Sequence, residues 1–183
     1  MTFDIDRMAD DCRAALKDTA PSQAVSEIVS RALSDTSSVV KALGEPSRAE
    51  VQRLHVSDDL TILNVIWAPR MTIRPHDHNM WAVIGVYAGR EDNIFWRRRA
   101  DDPNGLIEAA GAKSLGPQDV RPLGSTVIHS VTNPTLKFTG AIHVYGGDFF
   151  AVKRSEWEPD DLFEHPYDID KTLQLFEDAN KNI

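Results

Sequence analysis

Residues 74–89 read RPHDHNMWAVIGVYAG, and residues 116–133 read GPQDVRPLGSTVIHSVTN. Each stretch joins a short run of β-branched or aromatic residues to glycine or proline, which is typical of strands bounded by turns. Each stretch also carries histidine: His76 and His78 lie in the first, and His129 lies in the second. The predicted fold and the predicted site both depend on these two segments.

The same strand-like pattern extends on both sides of these segments, from about residue 51 to residue 150. Short runs rich in β-branched and aromatic residues alternate with clusters of Gly, Pro, Asp and Asn, and the clearest runs are 60–67, 80–87, 93–98, 125–132 and 137–145. Many short strands with this punctuation indicate an all-β sandwich or barrel rather than a parallel α/β sheet.

The two ends of the chain follow a different pattern, because their apolar residues recur at helical spacing. We therefore expect residues 1–46 to form a helical segment packed on the barrel, residues 47–157 to form the barrel, and residues 158–183 to form a helical tail. A chain of 183 residues fits this organisation as one structural domain. The tail is acidic, which favours a helix packed at the surface.

Composition excludes several classes of function. The net charge of −8 opposes binding to a phosphate backbone, so no nucleic-acid partner is expected. Cys12 is the single cysteine, which rules out an intramolecular disulfide. The first twenty residues lack the apolar core of a signal peptide, and no stretch approaches the ~20 apolar residues that span a bilayer. We expect a cytoplasmic location without membrane association; the oligomeric state is not indicated.

The histidine segments resemble the two conserved motifs of the cupin superfamily. Gly116, Pro122, Gly124, His129 and Asn133 follow the second motif, whose histidine is a metal ligand, although the usual gap between glycine and histidine is shorter. His76, His78 and Gly89 follow the first motif. The resemblance covers roughly residues 50–150 and implies a mainly β fold, the cupin double-stranded β-helix or jelly-roll barrel.

One departure from the first motif points to a particular group within the cupin superfamily. Where that motif has a glutamate ligand, this sequence has Ala82 or Val83, and neither can bind metal. A cupin with three histidines and no carboxylate resembles the thiol dioxygenases, cysteine dioxygenase and 3-mercaptopropionate dioxygenase, and residues 76–89 resemble their bacterial members. The resemblance implies an iron(II) ion on His76, His78 and His129.

The segment 143–145, His-Val-Tyr, resembles a histidine–tyrosine pair that the thiol dioxygenases carry one strand beyond the third ligand. The two side chains share one face of a strand, so Tyr145 is expected to hydrogen-bond substrate or oxygen and His143 to hold the phenol. The family has a serine two residues before the histidine, whereas this chain has Ala141. Thr139 is the remaining hydroxyl that could orient His143.

A thiol carboxylate would need a cation to bind its acid end, and arginine suits a bidentate contact. Arg53 lies at about the place of the carboxylate-binding arginine of cysteine dioxygenase, and a shift of one residue would put Gln52 there instead. Arg74 is a further candidate, since it would face the same way as His76 on an undisturbed strand. The sequence leaves these three possibilities open.

The chemistry of such a site is consistent with the resemblance. Three neutral imidazoles leave a divalent ion its full charge and up to three open positions, which a thiolate, a second donor and O₂ can occupy. The hypothesis is an iron(II)-dependent dioxygenase that oxidises a small thiol, such as cysteine or 3-mercaptopropionate, to a sulfinate. Zinc or nickel would also bind these ligands. Two alternatives remain: a cupin that binds metal or ligand without redox chemistry, and a metal-dependent cupin enzyme with a non-thiol substrate.

Overall fold

The protein was studied as a computed structural model, which describes residues 2–181. Met1, Asn182 and Ile183, which the predicted segments include, lie outside the described residues. Three helices precede the strands: α1 (Ile5–Ala15), α2 (Pro21–Leu33) and α3 (Thr36–Leu43). The strands are β1 (Glu50–Val56), β2 (Thr61–Trp67), β3 (Thr72–Asp77), β4 (Ala82–Ala88), β5 (Glu91–Arg98), β6 (Ile107–Leu115), β7 (Val120–Leu123), β8 (Ile128–Thr132), β9 (Thr139–Tyr145), β10 (Ser155–Trp157) and β11 (Glu164–Pro166). Helix α4 (Ile169–Asn180) follows them.

The strands form two antiparallel sheets. One has the order β1-β2-β9-β4-β7, and the other has the order β11-β10-β3-β8-β5-β6. Neighbouring strands in both orders are often far apart in sequence, as β2 and β9 are, so the sheets wind around a shared interior. The mainly β architecture with helices at both ends is the one that the sequence predicts.

Strands β2 and β9 are buried along their whole length, and each of their faces packs against a different core. Leu63 of β2 and Tyr145 of β9 belong to the core inside the barrel, whereas Ile62 and Val144 belong to the core beneath the N-terminal helices. Alternate side chains of a strand point to opposite faces, so a strand between two cores must be apolar on both. This explains the nearly continuous apolar runs in the sequence.

Helix α2 packs closely on the outer face of β4, at Gly85. A Cβ atom at Gly85 would lie 2.5 Å from Cγ1 of Val29 and 2.7 Å from Cδ1 of Leu33. Only a residue without a side chain lets the helix approach the sheet this closely. The glycine therefore allows the helical segment to cover this sheet.

The C-terminal part of the chain contributes more than the surface helix predicted from its sequence. Strand β11 precedes α4 and pairs with β10, which joins it to the six-stranded sheet. Phe176 of α4 is only 3% exposed and packs 5.4 Å from the Trp67 ring, inside the barrel. Asn180 holds the end of the helix through hydrogen bonds to both backbone groups of Ala49. Among residues 2–181, no helix has the length and apolar character needed to cross a membrane.

Candidate metal centre

The three predicted metal ligands lie on two neighbouring strands. His76 is near the end of β3, His78 follows that strand directly, and His129 is in β8, where it pairs with His76 across the sheet. The apolar run that follows them in the sequence (residues 80–87) predicts that His76 and His78 stand at the start of a strand; this prediction is wrong, since they lie where β3 ends. Asn79 adopts a left-handed backbone conformation, with φ of 51°, and this turns the chain out of the strand.

The three imidazole rings converge in one place. Their ligand atoms all lie within 4.8 Å of one another, and Nε2 of His78 is 3.4 Å from Nε2 of His129. Two nitrogens that bind one ion at about 2.1 Å are separated by roughly 3.0–3.4 Å in octahedral or tetrahedral geometry. Within the described part of the chain, this is the one group of three or more such donors, and it holds no carboxylate. A three-histidine site that could hold a metal ion is therefore present.

Hydrogen bonds on the far side of two rings orient them for metal binding. Nδ1 of His76 lies 2.9 Å from the carbonyl oxygen of Arg74, and Nδ1 of His129 lies 2.7 Å from Oδ1 of Asn93. A carbonyl oxygen can only accept, so both Nδ1 atoms carry the proton. The lone pair of each ring is then on Nε2, and in His129 that atom lies toward Nε2 of His78. The donor set fits a divalent metal ion.

Burial keeps these histidines in the form that binds metal. It lowers the pKa of His76 from 6.5 to about 4. The pKa values of His78 and His129 are also well below the ordinary value, first because of burial and then because of neighbouring histidines. A neutral imidazole has a free lone pair, so at neutral pH no proton competes with a metal ion.

The histidines line a small and mostly apolar cavity inside the barrel. Its volume is about 40 Å³, which is room for about three water-sized groups. Much of its wall consists of aliphatic and aromatic side chains, among them Leu63, Val65, Trp67, Ile73, Val131 and Phe176. Helix α4 supplies part of this wall. Such a cavity favours a small ligand and limits the entry of water.

His143 and Tyr145 both line the cavity from β9, as their spacing predicts. The Tyr145 hydroxyl lies 3.0 Å from Nδ1 of His143, and its ring packs 5.0 Å from the ring of His78. Burial raises the pKa of Tyr145 above its ordinary value, so the phenol keeps its proton. These positions put a hydroxyl group beside the three ligands.

The hydroxyl expected to orient His143 has another role. Oγ1 of Thr139 donates to the carbonyl oxygen of Arg90 and accepts from its N–H, so Thr139 closes the turn before β5. Nε2 of His143 lies instead 3.3 Å from Oε2 of Glu91, which is fully buried. Glu91 was not recognised in the sequence, where a single acid at the start of a strand looks like a surface residue.

Two of the three proposed substrate anchors are on β1. Arg53 is exposed, and its guanidinium stacks 3.8 Å from the centre of the Phe150 ring. Gln52 lies on the opposite face, where its amide accepts from Asn64 and donates to Glu50. The structure therefore places Arg53 on the same face of β1 as Val51, which lines the cavity, and Gln52 on the other face.

The third proposed anchor, Arg74, is engaged in ion pairs outside the cavity. Its Nη1 atom lies 3.0 Å from a carboxylate oxygen of Glu156 and 2.7 Å from one of Glu158. The side chain is largely buried by these contacts. The structure therefore does not bring Arg74 to the three histidines, although His76 is two residues away.

Arg154, which the sequence did not single out, is a buried cation that packs on the cavity wall and itself lines a separate groove. It is 8% exposed, and its guanidinium lies between the rings of Phe149 and Tyr167, 4.1 and 4.0 Å from their centres. Both rings line the cavity. The charge of Arg154 also contributes, after burial, to the lowered pKa of His76 and His78.

The guanidinium of Arg154 has two nitrogens without a partner. Nη1 donates to the carbonyl oxygen of Phe149, whereas Nε and Nη2 are buried and make no hydrogen bond to any described residue. Nε and Nη2 form one edge of the guanidinium, which matches the two oxygens of a carboxylate. Each buried donor left unpaired costs about 1–3 kcal/mol, so this edge favours a ligand that accepts both hydrogen bonds. No sequence pattern around Arg154 signals this arrangement.

Comparison with known proteins gives only weak similarities. No family model matches the chain. A cupin-family protein from Methanocaldococcus jannaschii with a double-stranded β-helix fold aligns over 58% of this chain and 86% of its own, with 9% identity and a TM-score of 0.46. A cupin-superfamily protein from Desulfitobacterium hafniense aligns over the same shares, with 17% identity and a TM-score of 0.45.

An oxalate decarboxylase variant from Bacillus subtilis aligns over 52% of this chain and 23% of its own, with 17% identity and a TM-score of 0.41. These similarities are too low to transfer an activity. The chain is mainly β, with two antiparallel sheets and helices at both ends. Within its described residues it carries a three-histidine site that could hold a metal ion.

Proposed function

We propose that this protein is an iron(II)-dependent dioxygenase that oxidises the sulfur of a small thiol carboxylate to a sulfinate. One observation carries the proposal: three neutral imidazoles without a carboxylate converge in an apolar cavity beside a protonated tyrosine. A ligand set without negative charge leaves the whole charge of a divalent ion available to an anionic substrate. A thiolate is such an anion, and it prefers the softer transition metals.

His76, His78 and His129 would hold the metal ion through Nε2. Iron(II) held there would supply the redox chemistry for the reaction of a thiolate with O₂, which rarely react unaided. The residues of the chain bind and orient the substrate. The apolar wall, including Trp67 and Phe176, keeps water from the sulfur and strengthens the electrostatic contacts inside the cavity.

Arg154 would bind the carboxylate of the substrate. Its free edge, formed by Nε and Nη2, offers two parallel N–H donors that are already buried and held between Phe149 and Tyr167. A rigid donor pair loses little freedom when the carboxylate binds. Arg53, the anchor proposed from the sequence, is the second possibility, but its side chain is exposed and stacks on Phe150.

Tyr145 would form a hydrogen bond with the thiol. Its hydroxyl lies 3.0 Å from Nδ1 of His143, and this contact fixes the direction of the phenol in the cavity. Because burial raises its pKa, Tyr145 remains a neutral hydroxyl throughout the physiological range. Its oxygen lone pairs can accept a hydrogen bond from the S–H group of the thiol before the thiol ionises.

The test is anaerobic loading with iron(II), followed by measurement of oxygen uptake with a panel of thiols. Cysteine and 3-mercaptopropionate carry a carboxylate, and cysteamine serves as the matched thiol without one. We expect uptake of one O₂ per sulfinate formed, with the thiol carboxylates favoured. Protein without metal and protein loaded with zinc are the controls, because neither should consume oxygen.

Each outcome of this experiment separates the alternatives. Sulfinate formation that requires iron supports the dioxygenase. Tight binding of zinc or nickel without oxygen uptake for any thiol contradicts it and favours a binding module. Iron-dependent turnover of another substrate, with none for thiols, favours a different cupin enzyme.

A further inference from the structure

A buried carboxylate outside the ligand set contacts the inner end of the His143–Tyr145 pair. Glu91 begins β5 and is fully buried. Its Oε2 atom lies 3.1 Å from Nε1 of Trp67 and 3.3 Å from Nε2 of His143, and its Oε1 atom lies 3.0 Å from Nδ2 of Asn93. A carboxylate is costly to bury, so hydrogen-bond donors around it must replace the water that it loses.

The partners determine which groups donate. The indole N–H of Trp67 can only donate. Oδ1 of Asn93 lies 2.7 Å from Nδ1 of His129, whose Nε2 is directed at the metal centre, so Asn93 accepts from His129. The amide of Asn93 therefore turns its NH₂ group to Glu91 and donates there. Both oxygens of Glu91 thus act as acceptors.

This pattern fixes the proton of His143. Next to an oxygen that accepts, Nε2 of His143 carries the hydrogen and donates to Glu91. Nδ1 is then free to accept, and the hydroxyl of Tyr145 lies 3.0 Å from it. In the opposite tautomer, Nδ1 would donate to Tyr145, and the phenol would turn its hydrogen elsewhere. The tautomer of His143 therefore decides whether the Tyr145 hydroxyl presents an oxygen lone pair or its hydrogen to the cavity.

We propose that Glu91 is a positioning residue that holds His143 as the Nε2–H tautomer, so that Tyr145 donates to His143 and presents its oxygen lone pair to the cavity. The same carboxylate, through Asn93, orients the ring of His129. Glu91 thus joins the metal centre to the tyrosine. The effect on catalysis rests on the proposed function, whereas the tautomer does not.

The first measurement uses metal-free protein labelled with ¹⁵N-histidine. Long-range ¹H–¹⁵N spectra distinguish the two tautomers, and a His143→Gln variant assigns the signal. We expect the Nε2–H form in the wild type. Finding the Nδ1–H form there would overturn the inference, and this result needs no substitution at Glu91.

The second measurement compares Glu91→Gln with Glu156→Gln. The contact with His129 holds the NH₂ group of Asn93 toward residue 91, so the glutamine must turn its oxygen to Asn93 and its own NH₂ group toward Trp67 and His143. We therefore expect a shift of His143 toward the Nδ1–H form. Glu156 is also buried, at 2% exposure, but it contacts Arg74 rather than His143, so its variant should keep the wild-type tautomer. An unchanged His143 signal in Glu91→Gln would refute the positioning role.

The iron-loaded enzyme gives an independent readout. We expect Glu91→Gln to lower kcat by roughly 10–100-fold, with little change in KM, while the iron content stays at the wild-type level. A kcat equal to that of the wild type would contradict the proposed effect on Tyr145. If the wild type oxidises no thiol, the proposed function fails, and the tautomer measurement still decides the role of Glu91.

Discussion

Nε2 of His78 lies 3.4 Å from Nε2 of His129, although the two residues are 51 positions apart in the chain. In metal-free protein, this contact brings two basic nitrogens close together in an apolar cavity. The pairing of His76 with His129 across β3 and β8 creates it, and the turn at Asn79 brings His78 in from the end of the strand. A divalent cation bound there would take the place of the hydrogen that one of these nitrogens can donate to the other.

The first prediction concerns metal binding by the three histidines. His129→Ala should weaken the binding of iron(II) or zinc by at least ~100-fold, because removal of a direct ligand costs more than removal of a residue that only supports one. Metal content after gel filtration measures this effect. His165→Ala is the matched control, since His165 is exposed and outside the cavity. Equal metal content in both variants would argue against the site.

The second prediction follows from the pKa of His76, which burial lowers from 6.5 to about 4. Above pH ~6.5 the imidazole is neutral in the folded and the unfolded chain, so it adds no pH dependence. Between pH ~6.5 and ~4 only the unfolded chain binds the proton, and the free energy of unfolding of metal-free protein falls as the pH falls. By pH ~5 the loss from His76 should be about 2 kcal/mol.

Urea unfolding at about pH 7.5, 6 and 5 measures this loss. His76→Gln removes one titrating group and should give a shallower decline than the wild type. His165→Gln, which changes an exposed histidine, should follow the wild type. A wild-type stability that rises as the pH falls through this window would be inconsistent with neutral buried histidines.

The third prediction concerns the hydroxyl of Tyr145. Tyr145→Phe keeps the ring beside His78 and removes only the oxygen, so metal binding should be unchanged while kcat falls by about 100-fold or more. Tyr87→Phe is the control: Tyr87 is also buried, but its hydroxyl donates to Asn64 on the other face of the sheet. This control should lose about 1 kcal/mol of stability and keep its kcat. Equal kcat values for both variants would show that the Tyr145 hydroxyl takes no part in the reaction.

The fourth prediction distinguishes the two arginines that could bind the substrate. Arg154→Lys keeps the charge and loses the bidentate edge, so KM for 3-mercaptopropionate should rise about 10–100-fold. KM for cysteamine, which has no carboxylate, should change little. Arg53→Gln should leave both values close to wild type, because its side chain is exposed and stacks on Phe150. The reverse result, with Arg53 decisive, would restore the anchor that the sequence suggested.

Much of the fold could be predicted from the sequence because its signals are local. Alternation of short apolar runs with turn residues predicted the strands, and helical spacing predicted the two ends. The histidine spacing and the resemblance to cupins predicted the three residues that converge. The placing of His76 and His78 at the start of a strand was wrong, because the left-handed turn at Asn79 depends on a conformation that several residue types tolerate.

The residues around the site were harder to predict. Thr139 was the expected partner of His143, but Glu91 lies there instead, since β4 and β9 are neighbours and the turn after β4 brings the start of β5 to β9. Arg154 gave no signal in the sequence, where an arginine after a lysine looks like a surface charge. Helix α4 was expected at the surface, yet Phe176 reaches the wall of the cavity.

The sequence by itself determined which segments become strands and helices, and which three histidines would be available as ligands. Periodicity and turn residues act over a few positions, so the chain carries that information locally. Only the tertiary structure decided which carboxylate contacts His143, which guanidinium keeps an unpaired edge between two rings of the cavity wall, and which helix closes that wall. Those relationships depend on the pairing of strands far apart in the chain, and no local pattern encodes the distance between them.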